Sequence, residues 1–81
     1  MVYFVYILRC KDGSLYTGIT TDIDRRMDQH KKGTGARYTR GRGAKKLFYI
    51  ERKKNRSTAS KREYEIKSLT RKEKLRLIAK R

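Results

Sequence analysis

Val5–Thr20 reads VYILRCKDGSLYTGIT. Two runs rich in β-branched and aromatic residues flank a polar, glycine-containing segment, the pattern of a hairpin. The length of the turn decides which hairpin it is. A two-residue turn at Asp12-Gly13 would pair Lys11 with Ser14, Tyr6 with Ile19 and Tyr16 with Arg9. Side chains alternate along a strand, so the two tyrosines would then lie on opposite faces of the sheet. A three-residue loop, Lys11-Asp12-Gly13, changes the parity. It is a type I turn with Gly13 in the left-handed conformation, forming a G1 bulge, and glycine takes that conformation at no steric cost. Cys10 then faces Ser14, Tyr16 faces Leu8 and Gly18 faces Tyr6. Both tyrosines share a face, with open space at Gly18 beside the Tyr6 hydroxyl. The second register is the prediction, with positive φ at Gly13.

Outward from the hairpin, residues 2–9 are apolar on both faces, as in a central strand covered on two sides. Thr20 or Thr21 offers an N-cap for a helix that runs to about Lys32, where Gly33 stops it, and Asp22 and Asp24 suit its positive end. Residues 31–46 carry seven basic residues, four glycines and no acid, and read as a mobile loop. A third short strand covers 46–51. Ser57 caps a second helix reaching about Ser68, and Thr70 with Glu73 forms a capping-box pattern for a last helix over about 70–81, with Leu75, Ile78 and Ala79 on one side. The order is β-β-α-β-α-α. Three strands cannot hide an apolar sheet alone, so helices must cover it, which makes residues 1–81 one α+β domain.

The chain has 81 residues, room for one core only. It carries 24 Lys and Arg against 8 Asp and Glu, a formal charge of +16. Self-repulsion of that size disfavours compaction unless a polyanion relieves it, so nucleic acid is the expected partner. No long amphipathic stretch with a bulky apolar face suits a membrane surface, and no apolar run approaches a membrane span. Cys10 is the only cysteine, which excludes an internal disulfide and a multi-cysteine zinc site. No signal peptide precedes the first strand, and the expected compartment is a reducing cytoplasm, nucleoid included. A monomer is the default.

Polar residues fall on apolar faces. In the first helix Ile23 and Met27 mark the buried side; Arg26 and His30 share it, whereas Arg25 and Asp28 do not. In the second, Ala59 and Ile66 mark the buried side, and Glu63 lies between them while Glu65 falls off it. Burying an unpaired charge costs several kcal/mol, on the order of the whole stability of a domain. These residues therefore have partners. The bland arrangement is a partly exposed Arg26–Glu63 salt bridge with His30 at its rim; the other is a catalytic cluster.

Val5-Tyr6-Ile7, Tyr16-Thr17-Gly18, the run Asp22–Met27, His30 and the run Arg62–Lys67 together resemble the GIY-YIG nuclease superfamily, and within it the small stand-alone bacterial members. The resemblance covers nearly the whole chain. It implies a three-stranded antiparallel sheet flanked by helices. It implies Tyr6 and Tyr16 as the tyrosines of the two motifs, with Gly18 closing the second. Arg26 matches the catalytic arginine, His30 a position held by His or Tyr, and Glu63 the ligand of one divalent metal, Mg²⁺ or Mn²⁺. The implied activity is hydrolysis of phosphodiester bonds in DNA, leaving a 5′-phosphate and a 3′-hydroxyl. Two departures are visible: Phe4-Val5-Tyr6 stands where Gly-Ile-Tyr is usual, and the only asparagine, Asn55, precedes the metal glutamate. The alternative is a nucleic-acid-binding module that keeps the fold and the charge with weak or no chemistry.

Each residue suits its implied task. A single carboxylate leaves Mg²⁺ most of its waters, as that ion prefers. Arginine's planar fork holds two phosphate oxygens. A tyrosine has a pKa near 10, so Tyr6 as base needs a cationic neighbourhood; Tyr16 is then a positioning donor. In the basic loop, Lys31, Lys32, Arg37, Arg40, Arg42, Lys45 and Lys46 could follow a phosphate backbone and Tyr38 could stack on a base, DNA being favoured over RNA.

Overall fold

A computed structural model describes residues 2–35 and 41–80. Strand β1 (Tyr3–Cys10) lies at the centre of an antiparallel sheet, with β2 (Leu15–Thr20) on one side and β3 (Ala44–Lys53) on the other. Helix α1 (Ile23–Lys31) separates β2 from β3, and helices α2 (Arg56–Lys67) and α3 (Arg71–Lys80) follow. The expected order and class hold.

The hairpin has the bulged register. Leu8 pairs with Tyr16 and Tyr6 with Gly18, and Gly13 has φ +88°. The Gly13 N–H donates to the Cys10 carbonyl and the Cys10 N–H to the Ser14 carbonyl, which closes the loop. Asp12 reinforces it by accepting from both the backbone N–H and the hydroxyl of Ser14.

Alternation along β1 sorts the two layers. Val5 and Ile7 point to one face, where they join Tyr49, Ala59 and Ile66 in the core, with Leu77 and Ile78 of α3 packed against it. Each fully buried aliphatic side chain there contributes about 1.5–3 kcal/mol. Tyr6, Leu8 and Cys10 point to the other face, which α1 covers. The central strand is thus buried on both sides, as its sequence predicts.

Several boundaries differ from expectation. Asp22, rather than Thr20 or Thr21, caps α1, its carboxylate accepting from the Arg25 N–H at 3.0 Å. Asn55, rather than Ser57, caps α2 by accepting from the Thr58 N–H at 2.9 Å. β3 begins at Ala44, so the last three residues of the expected loop are strand. On α3, Leu77 joins Ile78 against the core, whereas Leu75 is 40% exposed and Ala79 faces solvent. The capping box at Thr70 and Glu73 is present in both directions.

Candidate active site

Helix α1 ends in a Schellman motif: the Thr34 N–H donates to the Gln29 carbonyl and the Gly33 N–H to the His30 carbonyl, with Gly33 at φ +77°. The chain is thereby folded back so that Gly35 lies on the His30 ring. A Cβ at Gly35 would come within 3.0 Å of His30 Cε1 and closer still to Nδ1. His30 is 1% exposed and Tyr6 fully buried.

On the α1 face of the sheet, Tyr6, Tyr16 and His30 form a ring cluster. Ring centroids are 6.1 Å apart for Tyr6 and Tyr16, 5.8 Å for Tyr6 and His30, and 5.5 Å for Tyr16 and His30. The Tyr6 hydroxyl lies 2.8 Å from His30 Nε2. Arg26 Nε donates to the same hydroxyl at 3.4 Å, and Arg26 Nη1 donates to Gln29 Oε1 at 3.0 Å. Arginine can only donate, so with Arg26 donating to the phenol oxygen the Tyr6 proton is directed at Nε2 of a His30 protonated on Nδ1.

Electrostatics fixes these protonation states. Burial pushes the Tyr6 phenol up to about 12, against the lowering effect of the Arg26 hydrogen bond. Burial, and then the Arg26 charge, pulls His30 down to about 4. The hydrogen bond to Tyr6 raises the Arg26 guanidinium further. In the resting site the proton therefore stays on Tyr6 rather than passing to His30. At neutral pH the site holds a neutral phenol, a neutral imidazole and one fixed positive charge.

His30 also links the site to stability. Its pKa falls from 6.5 unfolded to about 4 folded, so the unfolded chain binds the extra proton first. Unfolding free energy should fall as pH drops from about 6.5 to 4, by roughly 3 kcal/mol once His30 is fully charged. Urea titrations between pH 7 and 5, above the range where carboxylates titrate, should show this slope in the parent and a flat line in His30→Gln.

Glu63 occupies a different position. The helix phase is as expected: the Glu63 side chain is 23% exposed and that of Glu65 65%. However, α2 packs through Ala59 and Ile66 on the Val5–Ile7 face, opposite the one that α1 covers. No ion pair joins Arg26 to Glu63 among the described residues; Glu63 Oε2 pairs instead with Lys67 Nζ at 3.4 Å. The bland salt bridge is thus absent, and His30 is interior rather than a rim residue. Glu63 does reach the cluster through space, its charge adding to the rise in the Tyr6 pKa. The face that carries both tyrosines holds Arg26, while α2, the helix that bears Glu63, packs through Ala59 and Ile66 on the other.

The donor set restricts any metal. No group of three or more His, Cys, Asp and Glu suited to a metal ion occurs among the described residues. Glu51 is engaged by Arg62 Nε at 3.0 Å, by Lys53 and by the Tyr49 hydroxyl. Glu63, with one weak lysine partner, fits a hydrated hard cation and does not fit zinc.

Of the basic residues, Lys31, Lys32, Arg42, Lys45 and Lys46 are exposed. Lys32 pairs with Asp28 at 2.9 Å and Arg42 with Asp12 at 3.3 Å, surface pairs too weak to withhold them from phosphate. Arg37, Tyr38 and Arg40 lie outside the described residues. Sequence reasoning missed Gln29, whose spacing of three from Arg26 was a usable signal, and Gly35, which had none beyond being glycine.

A buried tyrosine–histidine pair thus lies under a helix-borne arginine on a three-stranded α+β scaffold. Residues 2–76 match the GIY-YIG catalytic domain, and the chain belongs to that family, whose members are generally nucleases. A UPF0213 protein of Clostridium perfringens is 55% identical over 76 residues, covering 94% of this chain and 82% of that protein. One from Staphylococcus aureus is 52% identical over 79 residues, covering 98% and 96%. The solution structure of a UPF0213 protein of Bacillus halodurans, 49% identical, superposes with a TM-score of 0.63 over 98% of this chain and 84% of its own. A second solution structure, from E. faecalis, gives 0.67 at 40% identity over 99% and 85%. No helix among the described residues is long and apolar enough to cross a membrane.

Proposed function

We propose that this protein is an endonuclease that hydrolyses phosphodiester bonds in DNA with one Mg²⁺ or Mn²⁺ on Glu63. The observation that carries the proposal is the convergence of Arg26, Tyr6 and His30 at one phenol oxygen, in a GIY-YIG chain with +16 charge. Arg26 has five N–H donors and engages Tyr6, Gln29 and Tyr16 with only some of them, so it can still hold phosphate oxygens. Gln29 fixes the guanidinium plane. Tyr6 takes the proton of the attacking water as its own passes to His30 Nε2, so the phenol stays neutral and the imidazole ends charged. When bound, the divalent cation would lower the pKa of the attacking water and neutralise charge on the phosphate. Tyr16 positions the phosphate from the same face.

A second reading, a binding module with weak or no chemistry, is favoured by one observation: Glu63 stands on the helix that covers the opposite face and holds Lys67. One experiment separates the two. Mn²⁺ should broaden backbone NMR signals centred on residue 63, and Glu63→Gln should abolish both that broadening and metal-dependent cleavage, while Glu65→Gln leaves both intact. Broadening elsewhere, or cleavage that survives Glu63→Gln, would remove Glu63 as the metal ligand. No cleavage by the unmodified protein on any DNA would leave the binding module.

A further inference from the structure

Between α1 and the first half of β3 lies a cavity of about 270 Å³. Its floor is apolar, made by Leu8, Met27, Ala44 and Leu47, and its rim carries Lys31, Lys45 and Lys46 with no acid. Two irregularities in the β1–β3 pairing create it. Ile7 pairs with Tyr49 but Leu8 with Leu47, so Phe48 is an extra residue; Arg9 pairs with Lys46 but Cys10 with Ala44, so Lys45 is a second. Without the first bulge Phe48 would stand opposite Leu8, and without the second alone Lys45 would stand opposite Cys10. The bulges put Leu47 and Ala44 there instead, a smaller side chain in each case. Phe48 goes to the opposite face, where the Arg9 guanidinium lies 5.9 Å from its ring centroid.

The cavity adjoins the candidate active site. Leu8 is two residues from Tyr6 on the same face and is the cross-strand partner of Tyr16. Met27 and Lys31 flank Arg26 and His30 on α1. We propose that this slot receives one unpaired nucleobase of a DNA strand, with the neighbouring phosphates on Lys31, Lys45 and Lys46. The charge decides the occupant: a flat, largely apolar ring tied to an anionic backbone satisfies both floor and rim, whereas an apolar protein side chain would meet three unpaired ammonium groups. A base in a duplex is stacked and paired, so only an unpaired or extruded one can enter. The inference rests on DNA as the partner and adds a preference for an unpaired nucleotide within a step or two of the scissile phosphate.

Binding with EDTA present, read by fluorescence anisotropy, tests it. The probes are a single strand, the same strand with every base replaced by an abasic residue, and the corresponding duplex. Ala44→Leu fills the slot, with Ala44→Val as a milder version; both are checked for a native NMR spectrum. The expected result is a roughly tenfold loss of affinity for the intact strand, with no change for the abasic strand or the duplex. Base stacking elsewhere cancels, because it is the same in parent and variant. Equal affinity of parent and variants for the intact strand overturns the slot and leaves the nuclease proposal standing. So does an equal loss on all three probes, which would assign the effect to phosphate contacts. A parent protein that binds none of the probes removes both.

Discussion

Gly18→Ala should abolish cleavage and lower the unfolding free energy by about 2–3 kcal/mol. A Cβ at Gly18 would stand 2.6 Å from the Tyr6 hydroxyl oxygen, 2.8 Å from its Cζ and 2.9 Å from Tyr16 Cε2. Real Cβ atoms do not tolerate such distances, so one ring must move. Tyr6 has no free direction: it is fully buried and its hydroxyl is held by His30 and Arg26. Relief of the clash therefore breaks the hydrogen bonds on which the proposed chemistry rests. Gly13→Ala separates this from ordinary glycine strain. Its Cβ would meet nothing within 4 Å, but φ is +88°, so it should cost about 1 kcal/mol and leave cleavage intact. Denaturant titration and a cleavage assay on both variants read the contrast.

Arg26→Ala should reduce cleavage by a factor on the order of 10²–10³, the usual loss when one preorganised donor to a developing oxyanion is removed. A second readout ties the loss to the site. The Arg26 charge is, after burial, what holds His30 down at about 4. Without it the His30 pKa should rise but stay below 6.5, because burial remains. Arg26→Lys keeps the charge and loses the planar fork, so His30 should stay low while cleavage still falls. Imidazole ¹⁵N shifts followed against pH measure this directly. A His30 pKa unmoved in Arg26→Ala would mean that the two do not share one electrostatic site.

The local geometry was legible because it depends on counting. One glycine in the Lys11–Gly13 loop fixed the parity of the hairpin and placed both tyrosines on one face. Helical spacing separated Arg26 from Arg25 and Glu63 from Glu65. Caps were harder: Thr20, Thr21 and Asp22, like Asn55 and Ser57, are all competent, and the choice depends on where the backbone first turns helical. On α3 a few degrees of rotation exchanges Leu75 for Leu77. What spacing could not supply is which face of the sheet a helix crosses to. The phase of α2 points Glu63 toward the sheet, but the connection from β3 places that helix on the side away from Tyr6. Gly35 was invisible for a similar reason, since its contact with His30 exists only once the Schellman turn has reversed the chain.

The two bulges in β3 have an effect at its other margin. The strand pairs on one side only, so its outer edge presents backbone N–H and C=O groups to any extended segment that passes, a route to self-association. Regular hydrogen-bond spacing is what such pairing needs, and the extra residues Lys45 and Phe48 interrupt it twice within the strand's first five positions. Lys45, Lys46, Arg52 and Lys53 along the same strand set like charge against like in any second copy. The irregularity that hollows out one face thus also works against polymerisation of a strongly charged, proline-free chain through its own sheet.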